Sequence, residues 1–192
     1  HETGLAEVAR IRAEMMQTIA RSDYPNPDKL KGEELFAAFL NYLRTDKRFY
    51  YSSIEEMLRD YSHIAKRMDA ELPKLFGKLP RLPYGIKPMP DHIAERAPTA
   101  YYYQGSVKNG TSGTFIVNTS RLDQRPRYEM RALTYHEAMP GHHLQIALSQ
   151  ELEAAGMHRW RELVGYTAFV EGWGLYSERL GLEVGGDDKA TR

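Results

Sequence analysis

The sequence predicts an α+β fold, mainly α-helical with a small antiparallel β-sheet, on three observations. Apolar residues recur at helical spacing from Leu5 to about Glu71. A proline-rich stretch between Gly77 and Pro98 then excludes a long helix and leads into two short runs of β-formers. Helical periodicity returns from about Arg127.

Leu5, Val8, Ile11, Met15 and Ile19 fall three and four apart, which predicts an amphipathic helix ended by Tyr24-Pro25-Asn26-Pro27. Leu35, Phe36, Phe39, Leu40 and Leu43 gather on one side of a second helix, from about Glu33 to Arg44. Ser52 or Ser53 with Glu55 or Glu56 forms a capping box that starts a third, near residues 53 to 71. Prolines 80, 83, 88, 90 and 98 leave extended backbone and one turn of helix near Asp91 to Arg96. Ala100–Tyr103 and Gly113–Asn118 read as a strand pair. The second of these is expected to be an edge strand that pairs with a peptide. Tyr128 to Glu153 reads as helix interrupted at Pro140-Gly141, and His158 to Leu182 as a further helical pattern.

At 192 residues the default is one domain: helices over 1–76, a linker and sheet over 77–126, and helices over 127–184. The helical pattern begins almost at His1 and the chain stops at GGDDKATR just after another helix, so a piece of a longer protein is expected. Lys plus Arg and Asp plus Glu both number 26, and this balance gives no field that would mark a nucleic-acid partner. No apolar run approaches the ~20 residues of a transmembrane segment. With no cysteine, thiolate catalysis and cysteine-ligated zinc are excluded and the redox compartment stays open. An exported parent, periplasmic or a lipoprotein, is compatible with this, and the oligomeric state is not legible.

Chemistry concentrates in Thr134-Tyr135-His136-Glu137-Ala138-Met139-Pro140-Gly141-His142-His143, which holds three of the seven histidines. The arrangement is close to HExxH, where two His four apart bind zinc and the Glu acts on the metal-bound water. Pro140, however, occupies the fourth position. On an unbroken helix His142 would point ~120° away from His136, and His143 would lie ~10 Å along the axis. Pro140 clashes with the His136 carbonyl in a regular helix and Gly141 tolerates unusual dihedrals, so a bulge is expected. Looping out two residues brings His142 to the second-ligand position. His143 is the alternative ligand, or a donor behind the ligands.

Glu171 stands in an apolar stretch, Phe169 to Tyr176, where a buried carboxylate needs a strong partner. It is the candidate third ligand, with Arg179 as the competing partner. Gly172 and Gly174 suggest a close approach to the backbone. Two His and one Glu leave zinc an open position, the pattern of catalytic sites, with Glu137 as general base and then proton donor to the leaving amine.

These residues resemble a mainly bacterial family, domain of unknown function 885, whose members carry an HEAxPGHH-like segment followed by an EGWxLYxE-like one. GLAEVARIRAEM, YYYQGS through GTFIVNT and YEMRALTYHEAMPGHHLQ extend the resemblance over most of the chain. The family is similar to gluzincin-type metallopeptidases, which implies a zincin-like core fragment, a Zn2+ cofactor and a peptide substrate. It also implies that Gly141-His142 matches the second-ligand position. Family members are longer than this chain, which places elements of the substrate cleft outside it.

The expected function is zinc-dependent hydrolysis of peptide bonds, with Glu137 catalytic and His136, His142 and Glu171 as ligands. A non-catalytic binding or scaffold fragment with an incomplete or empty metal site is the reading from another class. Leu133, Leu144, Ile146, Ala147 and Leu148 read as core. Tyr101 to Tyr103 read as cross-strand packing or a groove lining, and Tyr176 as a helix anchor or an oxyanion donor. His1, His63, His92 and His158 stand in no metal spacing.

Overall fold

A computed structural model describes residues 1–25, 27–158 and 160–184, without the side chains of Glu162 and Leu163. The terminal GGDDKATR lies outside the described residues. The chain divides into two compact units, residues 1–49 and 50–192.

In the first unit, helices α1 (Glu2–Arg21) and α2 (Gly32–Thr45) follow the predicted periodicity. Arg12 links them, lying over the Phe36 ring at 3.2 Å and pairing with Glu33. Of the predicted stripe on α1 only Ile19 is buried, while Leu5, Val8, Ile11 and Met15 are exposed. Tyr24, Phe39, Tyr42 and Phe49 form an edge-to-face ring cluster instead.

The second unit holds α3 (Ile54–Leu75), β1 (Tyr84–Pro88), α4 (Asp91–Ala94), β2 (Ala100–Tyr103) and β3 (Gly113–Val117). It continues with α5 (Met130–Glu137), α6 (His142–Ala154), α7 (Trp160–Leu163) and α8 (Thr167–Glu183). Ser53 caps α3 by accepting from the Glu56 N–H, as the capping box requires. The fold is mainly helical α+β, as predicted, but the sheet is mixed rather than antiparallel. Its order is β1-β3-β2, with β2 antiparallel and β1 parallel to β3. Strand β1 escaped the sequence reading because its five residues sit among prolines. Pro88 is tolerated on it because an edge strand has a side that needs no donor.

β3 is therefore the central strand, which corrects the expectation that Gly113–Asn118 is an edge open to a peptide. Its alternation buries Gly113, Phe115 and Val117, and the fully buried Phe115 meets Tyr61 edge to face at 5.4 Å. Around them Tyr51, Met57, Ala100 and Met130 complete one apolar cluster. A second cluster, Met68, Leu72, Tyr135, Met139 and Leu144, packs α3 against the ends of α5 and α6. Asn118, fully buried, plugs the strand end: its Nδ2 donates to the carbonyls of Ala94 and Pro98, and its Oδ1 accepts from Ser120. This satisfies polar groups that would otherwise be costly to bury.

Candidate metal centre

Helix α5 stops at Glu137 because Pro140 has no N–H to continue the ladder and would strike the turn before it. The outcome is two separate helices, where a bulge within one helix was expected. The Met139–Pro140 peptide is cis. Gly141 then lies so close to the end of α5 that a Cβ there would come 1.8 Å from the His136 carbonyl oxygen. No other residue fits that position, and α6 can start directly at His142. The His143 N–H donates to the Ala138 carbonyl and the Trp173 indole N–H to the Pro140 carbonyl, which pins the break from both sides.

The break turns His142 back toward His136. Their rings meet at right angles, centroids 4.7 Å apart. Glu171 on α8 brings Oε2 to 3.2 Å from His136 Nε2 and 3.7 Å from His142 Nε2. One donor atom from each of the three residues lies within 4.8 Å of the others, so this set could hold a metal ion. A tetrahedral ion with bonds of ~2.0–2.2 Å would space its ligand atoms roughly 3.3–3.6 Å apart, which the two contacts to Glu171 bracket.

The donor chemistry is a sharper test. His136 Nδ1 lies 2.8 Å from a carboxylate oxygen of Glu178, while Nε2 faces Glu171. A neutral imidazole has one N–H, so whichever nitrogen carries it, the other presents a lone pair to a carboxylate. The shorter contact assigns the proton to Nδ1. A second proton or a metal cation must then come between Nε2 and Glu171, and a single cation there would serve His142 as well. Burial, followed by the proximity of His136, lowers the pKa of His142 and favours the neutral form that ligation needs.

Glu171 keeps half of its side chain exposed, contrary to the expectation that it is buried among apolar neighbours. What singles it out is its placement between two imidazoles, and among the described residues it pairs with them and not with Arg179. Gly174 shows the expected close approach, since a Cβ there would lie 2.6 Å from the His136 ring. Gly172 has open space around it and plays no such part.

Glu137 is buried beside this group, at 8% exposure. Burial raises its pKa, and Glu171 adds to that, while His136 and the Tyr102 backbone N–H work against it. A carboxyl moved upward in this way suits proton transfer near neutral pH.

His143 is resolved by its partners. Nε2 lies 2.9 Å from the Leu82 carbonyl and must donate, so Nδ1, 2.9 Å from the Tyr102 hydroxyl, accepts. The ring is 1% exposed, burial pushes its pKa down to about 4, and both nitrogens are engaged. It clamps strand β2 and the Leu82 turn to α6 and does not join the donor set. Tyr102 is thereby packing and clamp rather than groove lining, and Tyr176 is half exposed against Trp173. Leu144 and Ala147 are buried as expected, with Leu133 and Leu148 packed at the cluster edges. The sequence reading assigned nothing to Glu178. Its signal was the seven-residue spacing from Glu171, which returns to the same helix face.

No helix among the described residues is long and apolar enough to cross a membrane. No curated protein matches the chain. Among solved structures it is similar to the "putative lipoprotein" of Colwellia psychrerythraea, with 34% identity and a TM-score of 0.81 over 96% of this chain. The chain spans 31% of that protein's length. A family model matches residues 1–191, nearly the whole chain and both motif segments, so the chain belongs to the family described as bacterial protein of unknown function (DUF885).

Proposed function

We propose that this chain carries the zinc centre of a hydrolase that cleaves peptide bonds, with His136, His142 and Glu171 as ligands and Glu137 as the acid–base group. One observation carries the reading: two imidazole nitrogens from α5 and α6 converge on one carboxylate oxygen from α8, with a buried carboxyl next to them in the chain. Zinc suits two nitrogen donors and one oxygen, and when bound it would polarise the scissile carbonyl and acidify water.

The chain's own residues supply the rest. The Tyr102 backbone N–H stabilises the Glu137 carboxylate and helps to hold it in place. Glu137 takes a proton from the water whose oxygen adds to the carbonyl carbon. As the C–N bond breaks, Glu137 returns that proton to the departing amine nitrogen, and the carboxyl is restored to its starting state. Burial favours the neutral form of His142, which keeps its lone pair available.

The chain spans 31% of the length of its solved relative, and the proposal leaves the rest of the substrate cleft to segments beyond it. That coverage also supports the second reading, in which the piece alone binds a metal or a partner without turnover. Export of the parent is part of the proposal, resting on the lipoprotein description of that relative. Metal analysis of the parent protein should find one zinc at this centre. Glu137→Gln should keep the zinc and lower peptide hydrolysis by about 10²–10⁴-fold. Unchanged turnover would remove Glu137 from the mechanism, and a metal-free protein would remove the ligand set.

A further inference from the structure

The His136 ring is held on three sides. Its Nδ1 lies 2.8 Å from Glu178 Oε1, and its Cε1 and Nε2 lie against the backbone of Gly174, where a Cβ would come within 2.6 Å. The edge-on ring of His142 lies 4.7 Å away, centroid to centroid. Glu171, Gly174 and Glu178 are spaced three and four apart along α8, so one helix face carries a donor, a socket for the ring and a carboxylate behind it. Glu178 is only 30% exposed and spends an oxygen on His136, although lysines and arginines are plentiful elsewhere on the chain.

We propose that Glu178 is the positioning residue of this centre: its charged carboxylate fixes the proton of His136 on Nδ1 and turns the Nε2 lone pair toward the point where His142 and Glu171 converge. The proposal rests on the zinc reading above. Without Glu178 the ring can place its proton on Nε2 and donate it to Glu171, a state in which Nε2 has no lone pair to offer an ion. Gly174 adds the complementary restraint. It admits the ring close against α8, so the rotation set by Glu178 does not drift. A charge-assisted bond is roughly twice as strong as a neutral one, so the charge of Glu178 is part of the role and not only its oxygen.

The test compares zinc affinity, measured against a chromogenic chelator, in the parent protein and in Glu178→Gln and Glu178→Ala. It is paired with the visible absorption of the cobalt(II)-substituted forms. Glu178→Ala should weaken zinc by about 10–100-fold, the usual worth of a partner behind a ligating histidine, and shift the cobalt bands. Glu178→Gln keeps an acceptor of the same length without its charge, and should fall between the two, about tenfold weaker or less, with a smaller spectral shift. Should the alanine variant not fold, the glutamine variant decides: zinc affinity and cobalt bands equal to those of the unsubstituted protein would overturn the proposal. Failure of the underlying reading looks different, because the unsubstituted protein would then bind neither metal, and both ideas would fall together.

Discussion

His142 and His143 are adjacent in the chain, yet they belong to regions built on different terms. Around His143 every polar contact is closed: one nitrogen accepts from Tyr102, the other donates to Leu82, and Tyr84 packs on the ring at 4.8 Å while its hydroxyl donates to Asp69. Around His142 the contacts do not close. Among the described residues its Nδ1 and the Oε1 of Gln145 are buried without a well-formed hydrogen bond, although the Gln145 side chain stands close enough to act on the ring, and its Nε2 shares a carboxylate oxygen with His136. Buried polar atoms are nearly always satisfied, so a region of unsatisfied polar atoms beside a fully satisfied one points to where something else belongs. The difference separates the proposed ligand from a clamp without reference to motif spacing.

The largest expected effect breaks the open region. His142→Ala or Glu171→Ala should weaken zinc binding by about 10³-fold, roughly 4 kcal/mol, because a direct ligand should exceed the 10–100-fold of an outer partner. Chemical unfolding of the metal-free variants should stay close to that of the unsubstituted protein. Retained zinc in either variant would move the centre elsewhere. His143→Ala should do the reverse, costing about 3 kcal/mol of stability through the cavity and the stranded Leu82 carbonyl. Zinc stoichiometry should survive at temperatures where the variant is folded; lost zinc with intact stability would make His143 a ligand after all. The smallest effect sharpens the clamp. Tyr102→Phe removes one hydroxyl and should cost about 1 kcal/mol in denaturant unfolding. A cost several times larger would mean that the strand's docking, and not one bond, depends on it.

Much of the helical fold was legible because periodicity and capping are local. Ser53 and Glu56, or the apolar series on α2, need no distant partner to be read. Strand β1 was not legible, since its pairing with β3 is set 29 residues away and its own five residues offer little alternation. Likewise the place of β3 at the centre of the sheet depends on β1. At the centre itself, the residue types and the break at Pro140 were readable, and so was the placement of His142, rather than His143, beside His136 and Glu171. The reason Glu171 matters was misjudged, because exposure depends on what covers α8 and not on the apolar letters around it. Glu178 was visible as a spacing but not as a partner, since only the approach of α5 to α8 shows which ring it meets.

Gly174 and Gly181 lie two turns apart on α8 and receive consecutive residues of α5: His136 rests on the first, and the Tyr135 ring would be 2.2 Å from a Cβ on the second. The contact works as a gauge block, since two rigid rings of α5 meet bare backbone of α8 with no flexible side chain between them. An ion held by donors from α5, α6 and α8 would therefore report on that spacing to within a fraction of a bond length. Its binding energy would at the same time be docking energy for three helices, so loss of the ion and loosening of the helices become one equilibrium.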